Sequence, residues 1–323
     1  MGRASCDIHH RSANEETPMT RILETRSGPL PLPAFLPVTT FGGRFPLDEL
    51  VRPYLGRLAP GLMVSYHYAK QMTRRPPGVL FIDSGGFASL FEGSDYLERD
   101  DYALIRTREG DEISPPDVLA IQEKHADIGA TVDFLIPPDC PREEAERRQS
   151  LTERNALWAL AHRSNHDLRL FASIQAWDAD SATATTLRLA AEPFDGFALG
   201  GMVPRIRRPE EILAIVRAIC AVDAERPLHV FGIGSVEMIR ALFREGVSSV
   251  DSSSYVRAAA DGKYLHPDTG TMADVSEVTD AGCPCPPCRK LGATYLSLES
   301  ESNRMALALH NLNALQGAIR TVA

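Results

Sequence analysis

Several side chains able to do acid–base or nucleophilic chemistry stand where short apolar runs of the sequence stop. Asp83 ends VLFID, Asp133 lies within TVDFLIPPD, Gln175 ends LFASIQ and Asp251 ends SSVD. Glycines close other runs, as Gly85-Gly86, Gly200-Gly201 and Gly232 with Gly234. A carboxylate can carry a proton or attack a carbon, and neighbouring glycines let a flat ligand approach the backbone. Taken singly, an aspartate after a strand caps a helix or forms a turn. The set acquires chemical meaning if the strands all end on one face.

A second constellation is Cys283-Pro-Cys285-Pro-Pro-Cys288, followed after 21 intervening residues by His310. Three thiolates and an imidazole match a closed tetrahedral Zn²⁺ site of the structural kind, whereas catalytic zinc keeps a position for water. Cys283 and Cys285 are too close along the chain for a relaxed disulfide with each other. Nine histidines are available. His310 is preferred because it lies in a helical pattern, Asn303–Ile319, which the cysteine turn must hold; the alternative is a packed helix histidine.

The elements that must position these groups follow from periodicity. Apolar runs predict strands over Pro33–Thr39, Leu62–Tyr66, Val79–Asp83, Val132–Pro137, Leu168–Gln175, Gly196–Gly200, Leu228–Gly232 and Ser249–Asp251. Several are apolar throughout, as suits parallel strands covered on both faces. Helical patterns lie between them, including Arg142–His162, Glu210–Val222 and Val236–Glu245. Met238, Ile239, Leu242 and Phe243 share one face of the last. Eight strands with helical connections predict an α/β fold, a (β/α)8 TIM barrel, whose strand ends converge on one mouth. The expected organisation is a loose arm over 1–18, a barrel core over 19–251, and a zinc subdomain with a C-terminal helix over 252–323. The long stretch over residues 84–131, between the third and fourth strands, is expected to carry an insertion.

The 323 residues carry 34 Lys+Arg against 43 Asp+Glu, a net charge of −9. That balance opposes a protein that coats nucleic acid non-specifically. No apolar run is long enough to span a membrane, and the polar N-terminus lacks a signal-peptide core; a reducing cytoplasmic setting is expected. Basic residues nevertheless cluster at Arg74-Arg75, Arg205, Arg207-Arg208, Arg257 and Arg289-Lys290. Those after Gly201-Met202 are expected to meet phosphates on the mouth side. GIGS could instead cradle a sugar phosphate, but that reading has no use for Asp83, Asp251 or the cysteines.

DSGGF (83–87), GFALGGM (196–202), FGIGS (231–235), VDSSSY (250–255) and the CxCxxC pattern with its distant HNL (310–312) occur in that order. From about residue 20 to the end, the sequence resembles the tRNA-guanine transglycosylases, with IPPD and DSSSY closer to the archaeosine branch than to the queuine branch. The resemblance implies a barrel with a structural zinc subdomain, and exchange of a guanine in nucleic acid for a 7-deazaguanine without breaking the backbone. Asp251 then matches the nucleophile that attacks the ribose anomeric carbon, as in a retaining glycosidase. Asp83 matches the general acid/base.

Asp133 would hold the donor edge of the base, with Asp139 a second candidate for that role. Gln175 and the backbone at Gly200-Gly201 and Met202 would read its carbonyl edge. Ser84, Gly85, Gly86 and Gly232 would border it, Phe87 and Phe231 would stack on it, and Arg257 would meet a phosphate or a neighbouring base. One departure is Ala88, which stands where the family motif usually has Gln. The archaeal enzymes also carry C-terminal domains ending in an RNA-binding module, while the sequence stops at Ala323. DNA is therefore the competing substrate to tRNA. A non-catalytic subunit is the third expectation, opposed by the presence of both Asp83 and Asp251. By analogy with the family, a homodimer is expected.

Overall fold

A computed structural model describes residues 21–40, 45–278, 283–291, 297 and 299–320. Eight parallel strands close a barrel: β1 (Ala34–Thr39), β2 (Gly61–Val64), β3 (Val79–Ile82), β4 (Ile128–Ala130), β5 (Arg169–Ile174), β6 (Gly196–Leu199), β7 (Leu228–Val230) and β8 (Ser249–Ser252). Each pairs with its sequence neighbour, and β8 pairs with β1 to complete the ring. Alternate side chains explain why these runs are apolar throughout. Leu36, Met63, Phe81 and Phe171 fill the interior, while Phe35, Leu62, Leu80 and Leu170 point out beneath the helices. An N-terminal hairpin, Arg21–Thr25 with Gly28–Leu32, presses Leu30 and Leu32 into the interior cluster.

Besides a single helical turn at Tyr66–Ala69, the helices are α1 (Pro46–Leu58), α2 (Pro115–His125), α3 (Arg142–His162), α4 (Ala179–Ala190), α5 (Pro209–Val222), α6 (Val236–Arg244), α7 (Ser254–Ala260), α8 (Pro286–Leu291) and α9 (Glu301–Arg320). The face expected on α6 is buried through Met238, Ile239, Leu242 and Phe243, and the Ser235 side chain caps the helix by accepting from the Met238 amide. α9 packs on α1, α6 and α7 and touches β1. It thereby takes the place of the eighth helix of the outer ring.

One expectation is corrected. The fourth strand is not Val132–Pro137 but Ile128–Ala130. Val132, Phe134, Leu135 and Ile136 are buried, which imitates a strand. Their backbone leaves the ladder, however: the amides of Phe134, Leu135 and Ile136 donate to Thr152 Oγ1, Ser89 Oγ and Gln175 Oε1. Within 84–131, the stretch expected to carry an insertion, the added part and the barrel's own helix are distinct. A three-stranded antiparallel sheet (Asp95–Glu98, Ala103–Arg106, Glu112–Ile113) is added after β3, and then α2, capped by Ser114, restores the barrel pattern. The arm expected over residues 1–18 lies outside the described residues, and no helix among those described is long and apolar enough to cross a membrane.

Candidate active site and metal centre

The strand ends surround a cavity of about 310 Å³ at the barrel mouth. Asp83, Ser84, Gly86, Phe87 and Asp133 border it from one side, and Phe231, Gly232, Asp251 and Arg257 from the other, with Gly200 and Gly201 between. Four of the expected residues lie elsewhere. Gly85 sits one step back and donates its amide to Asp83 Oδ1 (2.9 Å). Met202 is core, Gln175 is buried behind Asp133, and Asp139 is exposed and paired with Arg208 (2.8 Å).

Asp251 leaves the interior at the end of β8. Its Oδ1 accepts the Gly232 amide (2.9 Å) and faces His229 Nε2 (3.1 Å). His229, on β7, is fully buried and also meets Ser249 Oγ through Nδ1 (2.8 Å). The sequence reading missed this histidine. Its signal was a polar residue at 229 in the run LHVFG, two before Phe231 and so on the same face of the strand.

Asp83 follows β3, and its Oδ1 also accepts the Tyr66 amide (2.7 Å). Burial raises its pKa to about 7, against the pull of the Tyr66 and Gly85 amides; the charge of Asp251 adds to the rise. A carboxyl poised there can give up and regain a proton near neutrality.

Asp133 extends beyond β4. Ser84 Oγ donates to its Oδ1 (2.6 Å) and Gln175 Nε2 to its Oδ2 (2.6 Å). Burial raises its pKa, and these two donors oppose the rise. The glycines here make room for a carboxylate as well as for a ligand. A Cβ at Gly86 would fall 1.9 Å from Asp133 Oδ1, and one at Gly200 2.6 Å from Oδ2. Gln175 has both ends engaged, since Oε1 accepts the Ile136 amide (3.1 Å).

The arginines divide. Arg205 is fully buried and donates to the carbonyls of Ile136 (2.6 Å) and Gly201 (2.8 Å), so it braces two mouth loops and cannot meet a phosphate. Arg75 pairs with buried Asp127, whose other partners are Arg26, Ser27 and the Leu80 amide at the start of the barrel strands, away from the mouth. Arg257 stays exposed at the cavity rim. Phe87 is 47% exposed against Phe91, whereas Phe231 packs edge-on to Phe81 and His229.

At the C-terminal end, ligand atoms of Cys283, Cys285, Cys288 and His310 all lie within 4.8 Å of one another. His310 Nε2 donates to the Leu265 carbonyl (2.9 Å), which leaves the Nδ1 lone pair facing the thiols of Cys285 (3.5 Å) and Cys288 (3.2 Å). That tautomer and donor set fit a metal ion. Asn311 ties the same turn of α9 to Tyr255 and to both Lys263 and Leu265.

The family model of queuine tRNA-ribosyltransferase matches residues 19–322. A tRNA-guanine(15) transglycosylase of Pyrococcus furiosus is 28% identical over 93% of this chain and 51% of its own length. Those of Thermococcus onnurineus and Pyrococcus abyssi are 27% and 26% identical over 76% of this chain, and 40% and 39% of their own lengths. The chain thus spans about half or less of the curated relatives it matches. A closed barrel with two carboxylates in its mouth and a Cys3His cluster on its flank accords with that match, and the chain belongs to the queuine tRNA-ribosyltransferase family.

Proposed function

We propose that the protein is a base-exchange pentosyltransferase that removes guanine from a nucleic acid and installs a 7-deazaguanine. The first substrate to test is tRNA, at guanine 15, as the relatives' names suggest. The observation that carries this reading is that Asp83 and Asp251 border one cavity.

Asp251 attacks C1′ of the ribose as the bond from C1′ to the base nitrogen breaks. The electron pair leaves with guanine, which takes the proton of Asp83. The incoming 7-deazaguanine gives its own proton to Asp83, attacks C1′ and releases Asp251, so configuration is retained over two displacements. Asp133, backed by Gln175, holds the donor edge of the base. The Gly200 amide is spent on the Ile174 carbonyl, which leaves the Gly201 amide for the base carbonyl. Phe87 and Phe231 cover its faces. Cys283, Cys285, Cys288 and His310 would hold a zinc ion, which would supply a structural cross-link rather than take part in the exchange.

Radiolabelled guanine exchange into tRNA and into duplex DNA tests the reading. Label in tRNA supports it, label in DNA alone moves the substrate to DNA, and label in neither, after the deazaguanine bases are tried, rejects exchange in favour of a non-catalytic subunit. Asp251→Asn should abolish the trapped protein–nucleic acid adduct; a surviving adduct removes Asp251 as nucleophile.

A further inference from the structure

The geometry points to His229 as the residue that positions Asp251 and selects Oδ2 as its attacking oxygen, a role that rests on the base-exchange reading. Oδ1 of Asp251 is held by two groups, the Gly232 amide at 2.9 Å and His229 Nε2 at 3.1 Å. Among the described residues both hydrogen bonds of the carboxylate fall on Oδ1 and none on Oδ2, and Asp251 borders the cavity. The oxygen free to reach a ribose carbon is therefore Oδ2.

The imidazole is itself fixed. It is wholly enclosed, with the Phe81 ring centroid at 4.7 Å, the Phe231 centroid at 4.6 Å, and Ser249 Oγ at 2.8 Å from Nδ1. An ionised Asp251 requires a proton on Nε2, since a bare Nε2 would set a lone pair against a carboxylate oxygen. Nδ1 then accepts from the Ser249 hydroxyl. Ser249 thus sets the tautomer, and His229 sets the carboxylate.

This arrangement bears on both displacements. In the glycosyl ester Oδ2 is bonded to C1′ and Oδ1 is the carbonyl oxygen. When the incoming base breaks the bond between C1′ and Oδ2, negative charge returns to the carboxylate, where the His229 N–H and the Gly232 N–H already await it. His229 touches no reacting atom; it acts through Asp251.

The test combines a readout that needs no turnover with one that does. Nitrogen NMR of the wild-type histidines, with the His229 signal identified by its loss in His229→Gln, should show Nε2 protonated and Nδ1 bare. In exchange assays His229→Leu should lower kcat on the order of 10–100-fold and leave KM for the base within about threefold. His229→Gln, which can still offer an N–H, should recover most of the loss, and Ser249→Ala should fall between. Should the leucine variant fail to fold, the tautomer, the Gln variant and Ser249→Ala carry the test, and equal exchange in the wild type and both variants overturns the role. A proton on Nδ1 in place of Nε2, or a folded leucine variant within twofold of wild-type kcat, also overturns it while leaving base exchange intact. A wild type that exchanges no base in tRNA or DNA overturns the exchange reading and this role together.

Discussion

Asp83 and Asp251 border the same cavity but are held differently. Asp83 Oδ1 is gripped by the backbone amides of Tyr66 and Gly85, and burial together with the nearby charge of Asp251 raises its pKa to about 7. Asp251 Oδ1 is gripped by one amide and one imidazole. Two carboxyls whose surroundings treat them differently can divide the roles of acid and nucleophile.

The raised pKa of Asp83 gives a stability prediction with a definite sign. Between its ordinary value of 3.8 and about 7, the folded chain keeps a proton that the unfolded chain has lost. Stability from this group is therefore fully present below pH 3.8, declines as pH rises towards 7, and stays flat above that. Asp83→Asn removes the effect. The Tm difference, variant minus wild type, should grow from pH 4 to 7 and then level off in thermal unfolding across pH. A constant difference would mean that Asp83 titrates normally. In the exchange assay, wild-type adduct formation should slow as pH passes about 7, because departing guanine needs the Asp83 proton.

Gly86→Ala should disable the site while sparing the barrel. Its Cβ would enter the space of Asp133 Oδ1 and also sit 2.7 Å from the Asp133 carbonyl oxygen. The carboxylate must move, and a shift of about 1 Å in a positioning group can cost on the order of 100-fold. kcat/KM should fall by about that factor, with Tm lowered by only a few degrees. Wild-type kinetics in this variant would show that Asp133 does not need its present place.

Much of this architecture was legible because the barrel writes its pattern plainly. Strands covered on both faces are apolar throughout, and the side chains after them are those of the mouth. Helix α3 was bounded to the residue. The failures share one cause, the use of side chains where backbone was expected. Residues 132–136 look like a strand because they are buried, but Thr152, Ser89 and Gln175 take their amides. Arg205 looks like a phosphate ligand because arginines usually lie outside, yet it is spent on carbonyls. His229 reads as an ordinary core residue until the pairing of β7 with β8 sets it opposite Ser249, two residues before Asp251.

Cys285→Ser should reduce metal content and stability before it affects chemistry. Cys285 is buried within the four-ligand cluster, whose His310 anchors α9 to the Leu265 carbonyl. A loss of about 3 kcal/mol, at the upper end for ordinary substitutions, lowers Tm by roughly 4–5 °C in a chain of this length. Below that Tm the residual exchange rate per folded molecule should remain within about twofold of wild type. Metal analysis of the wild type should return about one zinc per chain, and a value near zero would contradict a structural zinc.

Arg257 provides a test of where the nucleic acid runs. It is exposed on α7 at the cavity rim and forms no ion pair among the described residues. Arg205 and Arg208, by contrast, are occupied by carbonyls and by Asp139. If a phosphate beside the exchanged nucleotide meets Arg257, Arg257→Ala should weaken binding of the nucleic acid about three- to tenfold at low salt. It should also reduce the slope of log K against log salt by about one. KM for the free base should not change, since the cavity floor is untouched. An unaltered salt slope removes Arg257 from the strand's path, and a weakened base KM with an unaltered slope assigns it to the cavity instead.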